Sequence, residues 1–162
     1  MPLSIPIKDE TGSEVVEFGL VLLPLLAFLF LIMDVAWICY AQSSLQHAVQ
    51  VAIRAAVVNP LPPKGGQDAY LKTVVQDNAM GFLPGADGLN KVTVSYYSPS
   101  DLKNPVKTGG NTPGNVIEIS VKDVPVSTLG PILRETAAVV KLNASSMDVM
   151  EALAPGANPP AR

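Results

Sequence analysis

The chemistry this chain can offer gathers near its start, in Gly12-Ser13-Glu14-Val15-Val16-Glu17-Phe18. Glu17 stands where an apolar run begins, and from Phe18 to Met33 no residue is charged. A carboxylate at such a boundary is costly to leave unpaired in hydrocarbon, which makes it a functional-site candidate. Were a peptidase to cut between Gly12 and Ser13, the new chain would start with a free amine at Ser13 and carry Glu17 as its fifth residue. In an oligomer, the carboxylate of one subunit would then pair with the amine of its neighbour. That pair lowers the cost of holding either charge in apolar surroundings.

Other chemistry is thin. His47 is the only histidine, and a solvated or interface residue is the reading its place in a polar row favours over a catalytic base. No Ser/His/Asp set assembles without asking that one residue to do everything. Gly65-Gly66 and Gly109-Gly110 lack the spacing and the following Lys-Ser/Thr of a phosphate loop. Asp87, Asp101 and Asp123 stand alone in turns, without the ladder of oxygens a calcium loop needs. Cys39 is the only cysteine, so an internal disulfide or a cysteine metal site is excluded, and a small packing residue is expected. Asn143-Ala144-Ser145 fits a glycosylation sequon and carries little weight. No enzyme, metal or cofactor is expected.

The element that must position Glu17 is a helix. After Asp34 the apolar character resumes as Val35-Ala36-Trp37-Ile38-Cys39-Tyr40-Ala41. From Phe18 to Ala41 a helix covers about 35 Å, enough to cross a hydrocarbon core about 30 Å thick. A helix apolar on every side has no core to enter in so small a protein, so this is a membrane segment. Pro24 is tolerated there as a kink. Trp37 and Tyr40 fit the aromatic belt of the far interface. Asp34 either reaches toward that interface or the polar contacts of a helix bundle, or meets a basic group of another subunit.

Beyond Ala41 the pattern changes and the helix is expected to continue. Gln42, Gln46, Gln50 and Arg54 form a polar row, with Ala41, Leu45, Ala48, Val49, Ala52 and Ala56 on the opposite face. One helix from about Ser13 to Val58 would be about 70 Å long. Its small residues allow close approach to a partner helix. Asn59-Pro60 ends it, and residues 61–66 read as a loop.

At 162 residues, the chain suits one membrane helix and one small domain. With 11 basic and 14 acidic residues it carries no electrostatic footprint for nucleic acid. Asp68 is expected to cap a second helix reaching about Met80, with Leu71, Val74, Val75 and Ala79 inward and Gly81 at its end. Val92 to Tyr97 and Val116 to Val121 alternate as strands, the second with Ile117, Ile119 and Val121 on one face. Between them residues 99–115 read as a long loop. A short helical turn is expected over 127–133, and a third strand within 135–150, centred on 138–142. The expected class is α+β: a long N-terminal transmembrane and amphipathic helix, a second helix and a small antiparallel β-meander. The expected parts are a leader at 1–12, the helix at 13–58, a small periplasmic domain at 59–153 and a disordered tail at 154–162.

Gly12, Glu17-Phe18, Pro24, Asp34 and the small-residue run around Arg54, taken together, resemble the TadE-like pseudopilins. These are minor pilins of tight-adherence (Flp-type) type IV pilus systems, and the resemblance spans about residues 12–57. It implies cleavage between Gly12 and Ser13 by a prepilin peptidase. It also implies assembly contacts through Glu17 and Asp34, a helix kink at Pro24, and partners among other pilins and inner-membrane pilus assembly proteins in the lipid bilayer. A single pass through a bacterial inner membrane, with the C-terminal domain extracytoplasmic, follows from the resemblance alone, because Lys8 before the span and Arg54 and Lys64 after it set no orientation. The alternative is an unprocessed, signal-anchored extracytoplasmic domain that binds a partner through residues 99–115. A secreted protein starting at Gln42 is disfavoured by the length of the apolar run and the lack of a basic leader.

Overall fold

The computed structural model describes residues 11–58, 66–128 and 139–151. Helix α1 (Thr11–Val58) runs unbroken for 48 residues through Pro24, as the sequence predicts. Helix α2 spans Gln67–Asn78 and a short helix α3 spans Gly85–Asn90. Four strands follow the helices: β1 (Val92–Ser98), β2 (Asp101–Pro105), β3 (Val116–Ser127) and β4 (Val139–Val149). They form one antiparallel sheet in the order β2-β1-β3-β4. The class is α+β. Residues 1–10 of the expected leader (1–12), 61–65 of the expected loop (61–66), 129–133 of the expected helical turn (127–133) and the tail from 154 lie outside the described residues.

The second half of α1 is the spine of the core. Ala41, Leu45, Ala48, Val49 and Ala52 have no exposed surface, and Ile53 and Ala56 almost none. Four alanines on that face let the helix backbone come close to its neighbours. Leu71, Val75 and Ala79 of the α2 region, and Ile117, Ile119 and Val121 of β3, complete the same fully buried cluster. Burying each such aliphatic side chain contributes about 1.5–3 kcal/mol, which is why this packing orders the domain.

Several local expectations are corrected. Asp68 does not cap α2: Gly66 holds the N-cap position at φ 89, with no side-chain cap. Instead Asp68 Oδ1 accepts a 2.8 Å hydrogen bond from the Tyr96 hydroxyl, and Asn111 donates to Gln67 Oε1 at 3.1 Å. These polar contacts tie α2 to β1 and to the loop that returns to β3. Helix α2 ends at Asn78, and Gly81, at φ 86, lies in the turn beyond. Gly88 of α3 sits so close to Leu83 that a Cβ would lie 2.4 Å from its backbone carbonyl, so the turn before α3 closes only around glycine.

The expected loop at 99–115 contains β2, whose residues are all exposed. At its start, where the register with β1 shifts, Asp101 Oδ1 accepts from the Lys103 amide at 3.0 Å and its Oδ2 accepts from Asn104 Nδ2 at 2.9 Å. The Asn104 side chain and then the Lys103 amide hold the Asp101 carboxyl below its ordinary range. On the outer face of the sheet Tyr97 donates to Glu118 Oε2 at 2.7 Å. That bond, and then partial burial, push the phenol above its usual value.

Strand β3 also runs past its expected end. Its register with β4 shifts between Val121 and Val124, and Asp123 takes a φ of 55. The bulge resets the alternation, so Val124 and Val126 are buried like Val121 while Lys122 and Asp123 face water. Asn143 Oδ1 accepts from the Asp123 amide at 2.8 Å, and Lys91 Nζ donates to the Asp123 carbonyl at 2.8 Å. Ser127, expected in a helical turn, is the last residue of β3.

The contrast between the two halves of α1 gives a direct test. Leu45→Ala should lower the stability of the domain by about 2–5 kcal/mol, because it opens a cavity in a closed core. Leu29→Ala, at a site 51% exposed, should change it by no more than about 0.5 kcal/mol. Denaturant titration of the full chain in detergent measures both.

Candidate functional site

Along α1 the surroundings change abruptly at one point. Val15, Phe18, Leu20 and Leu23 are 67–72% exposed, and no residue of the most apolar stretch is buried. At Ala41 the exposure falls to zero. Up to Met33 the apolar half is thus bare on every side. Its area far exceeds the few hundred Å² of apolar patch that a soluble monomer leaves uncovered. Helical geometry suits it to hydrocarbon, since every interior backbone group is bonded within the helix.

Glu17 lies near the start of this stretch, exposed, and forms no hydrogen bond or ion pair among the described residues. Asp34 is half-buried and engaged in a polar interaction. The two carboxylates are seventeen positions apart, about 25 Å along the helix. The bond between Gly12 and Ser13 falls in the first turn of α1, where backbone amides have no intrahelical acceptor and the helix opens at little cost. Gly12 has no neighbour within 4 Å of where a side chain would begin. Gly12, Ser13, Glu17, Pro24 and Asp34 are strung along one rod, and no cleft gathers them.

At the far end of the apolar half, Trp37 and Tyr40 stack with ring centroids 5.9 Å apart. Phe82, from the turn after α2, packs against both rings. The sequence offers only a faint signal for Phe82, a lone aromatic in the apolar run Met80-Gly81-Phe82-Leu83. Cys39, expected as a packing residue, is exposed, because its position on α1 faces away from the domain that Ile38 and Ala41 touch. His47, one residue after Gln46 of the polar row, is likewise exposed. From that row Gln42 reaches back to the sheet and donates to the Asn143 carbonyl at 2.8 Å, while Gln46, Gln50 and Arg54 face outward. Among the described residues no group of His, Cys, Asp and Glu is placed to hold a metal ion.

The arrangement defines a protein with one long apolar N-terminal helix, suited to a single-pass anchor, that continues into an α+β domain. Residues 12–54 match the model of the TadE-like protein family, in agreement with the resemblance carried by Gly12, Glu17, Pro24, Asp34 and Arg54. The match covers nearly all of α1 and none of the domain packed on it. No curated protein and no solved structure matches the chain.

Gln42→Ala should cost about 0.5–1.5 kcal/mol of domain stability, because it removes the bond to Asn143. Gln46→Ala, at an exposed site one turn on, should stay within about 0.5 kcal/mol of the parent chain. Parallel denaturant titrations distinguish a seam that holds helix to sheet from a merely solvated row.

Proposed function

We propose that the protein is a single-pass membrane pseudopilin, a minor pilin that serves assembly of a tight-adherence (Flp-type) pilus or secretion apparatus. The observation that carries this reading is the bare apolar stretch of α1 up to Met33, with Glu17 unpartnered at its start, inside the segment matched by the TadE-like family. A helix made only to anchor a domain has no need of a carboxylate at the edge of hydrocarbon, where leaving it unpaired is costly. A helix that packs beside copies of itself or related pilins gives that carboxylate a partner.

On this reading a prepilin peptidase cuts between Gly12 and Ser13. The freed amine of one subunit pairs with Glu17 of the next, and the pair sets the register between neighbouring helices. Asp34 makes a second polar contact about 25 Å further along, and Pro24 supplies a local bend. The protein resides in the bacterial inner membrane with its domain on the extracytoplasmic side. Its role is structural rather than enzymatic, and its partners are the peptidase, other pilins and the inner-membrane assembly proteins.

The N-terminal sequence and intact mass of the protein, extracted from membranes that contain its native peptidase, test the processing step. A chain starting at Ser13 is expected. A chain starting at Met1 overturns the cleavage and favours an unprocessed anchored domain, and one starting at Gln42 overturns the membrane role as well. Glu17→Ala is expected to insert into membranes like the parent but to fail in incorporation with its partner pilins. Normal incorporation of that variant would exclude the pairing role.

A further inference from the structure

The turn between α2 and α3 reaches the membrane half of α1, although it is far from it in sequence. The Phe82 ring centroid is 5.6 Å from that of Trp37 and 6.2 Å from that of Tyr40. Beside it, the Tyr40 hydroxyl donates to Met80 Sδ at 3.0 Å. Met80 is nonetheless 65% exposed, and its backbone has a φ of 49, a left-handed conformation that side chains with a Cβ rarely adopt. The turn is firmly held in this shape. Gln76 Nε2 donates to the Leu83 carbonyl at 2.7 Å and to the Gly85 carbonyl at 2.8 Å, and Leu83 itself is buried. The domain thus holds a large apolar side chain outward, in an unfavourable backbone, beside the end of the apolar helix.

The depth of that point follows from α1. With the hydrocarbon beginning near Phe18, about 30 Å of helix ends near Ile38. Trp37 and Tyr40 then lie at the boundary between acyl chains and headgroups, where such rings concentrate. A turn in ring contact with both lies at the same depth. Asp77 and Asp87, both exposed, flank it and keep it from sinking further.

We propose that residues 80–84 form a second membrane contact, with Met80 and Phe82 seated in the headgroup–acyl boundary of the bilayer that α1 crosses. One helix alone leaves the domain free to rotate and tilt about the helix axis. A second foot beside it removes that freedom and presents one face of the sheet outward in a fixed direction. The proposal rests on the reading of α1 as a membrane span.

Methionine oxidation in the unmodified full chain, reconstituted in phosphatidylcholine vesicles and treated with a membrane-impermeant oxidant, tests it with internal references. Met147, 52% exposed on the sheet, reports the aqueous surface; Met33, 47% exposed, reports the span. Met80 is expected to oxidise several-fold more slowly than Met147 despite its greater exposure in the chain. The same protection is expected in Tyr40→Phe, which lacks the hydrogen bond to sulfur. Oxidation of Met80 at the rate of Met147, or loss of its protection in Tyr40→Phe, overturns the proposal while a spared Met33 leaves the span intact. Oxidation of Met33 together with Met147 overturns the membrane span itself.

Discussion

The constraint on which the rest of the structure depends is that one helix is suited to two solvents along its length. The backbone of α1 bonds its own amides and carbonyls, so it needs no help from water or lipid and passes from one to the other without a break. Only the side chains change at the boundary. From Phe18 to Ala41 they are apolar around the circumference except at Asp34; after it, apolar residues keep to one face and Gln46, Gln50 and Arg54 turn to water. Everything else packs on that second half. Helix α2 and the sheet close over the buried face of α1, and the small side chains of Ala41, Ala48, Ala52 and Ala56 let them approach closely. The position of the domain relative to a membrane is therefore inherited from the helix rather than set independently.

What could be read from sequence were the features that repeat. The charge-free run from Phe18 to Met33, the four-residue spacing of Leu71, Val75 and Ala79, and the alternation of Ile117, Ile119 and Val121 each specify a face over several turns or rungs. The features that escaped are single events. Strand β2 is Asp-Leu-Lys-Asn-Pro, exposed throughout, and has no apolar pattern to betray it. Its place comes from the Asp101 turn and a few pairings with β1. The extension of β3 was hidden because Lys122 and Asp123 break the alternation, and a bulge absorbs the break. Asp68 had the right residue type for a cap, but its carboxylate serves Tyr96 instead, a contact between residues 28 positions apart.

The candidate site divides in the same way. Gly12, Glu17, Pro24 and Asp34 were legible because their meaning lies in their order along one element. The fold adds that they lie along one rod and that no cleft gathers them. Phe82 and Met80 were not legible, since their significance comes from contact with Tyr40, some forty positions earlier. No local pattern encodes a contact of that separation.

The continuity of α1 also has a mechanical consequence. A rotation or shift imposed on the apolar half by packing against other helices is carried past Ala41 into the core, where the fully buried contacts of Leu45, Val49 and Ala52 leave no slack. The point of greatest compliance is Pro24, the one proline inside the helix, where a backbone bond is missing. It lies well inside the apolar half, so residues beyond it, including Asp34, Trp37 and Tyr40, move with the domain. Residues before it, including Glu17, reach the domain only across that bend. The helix is thereby divided into a short segment that can bend relative to the domain and a long one rigidly joined to it.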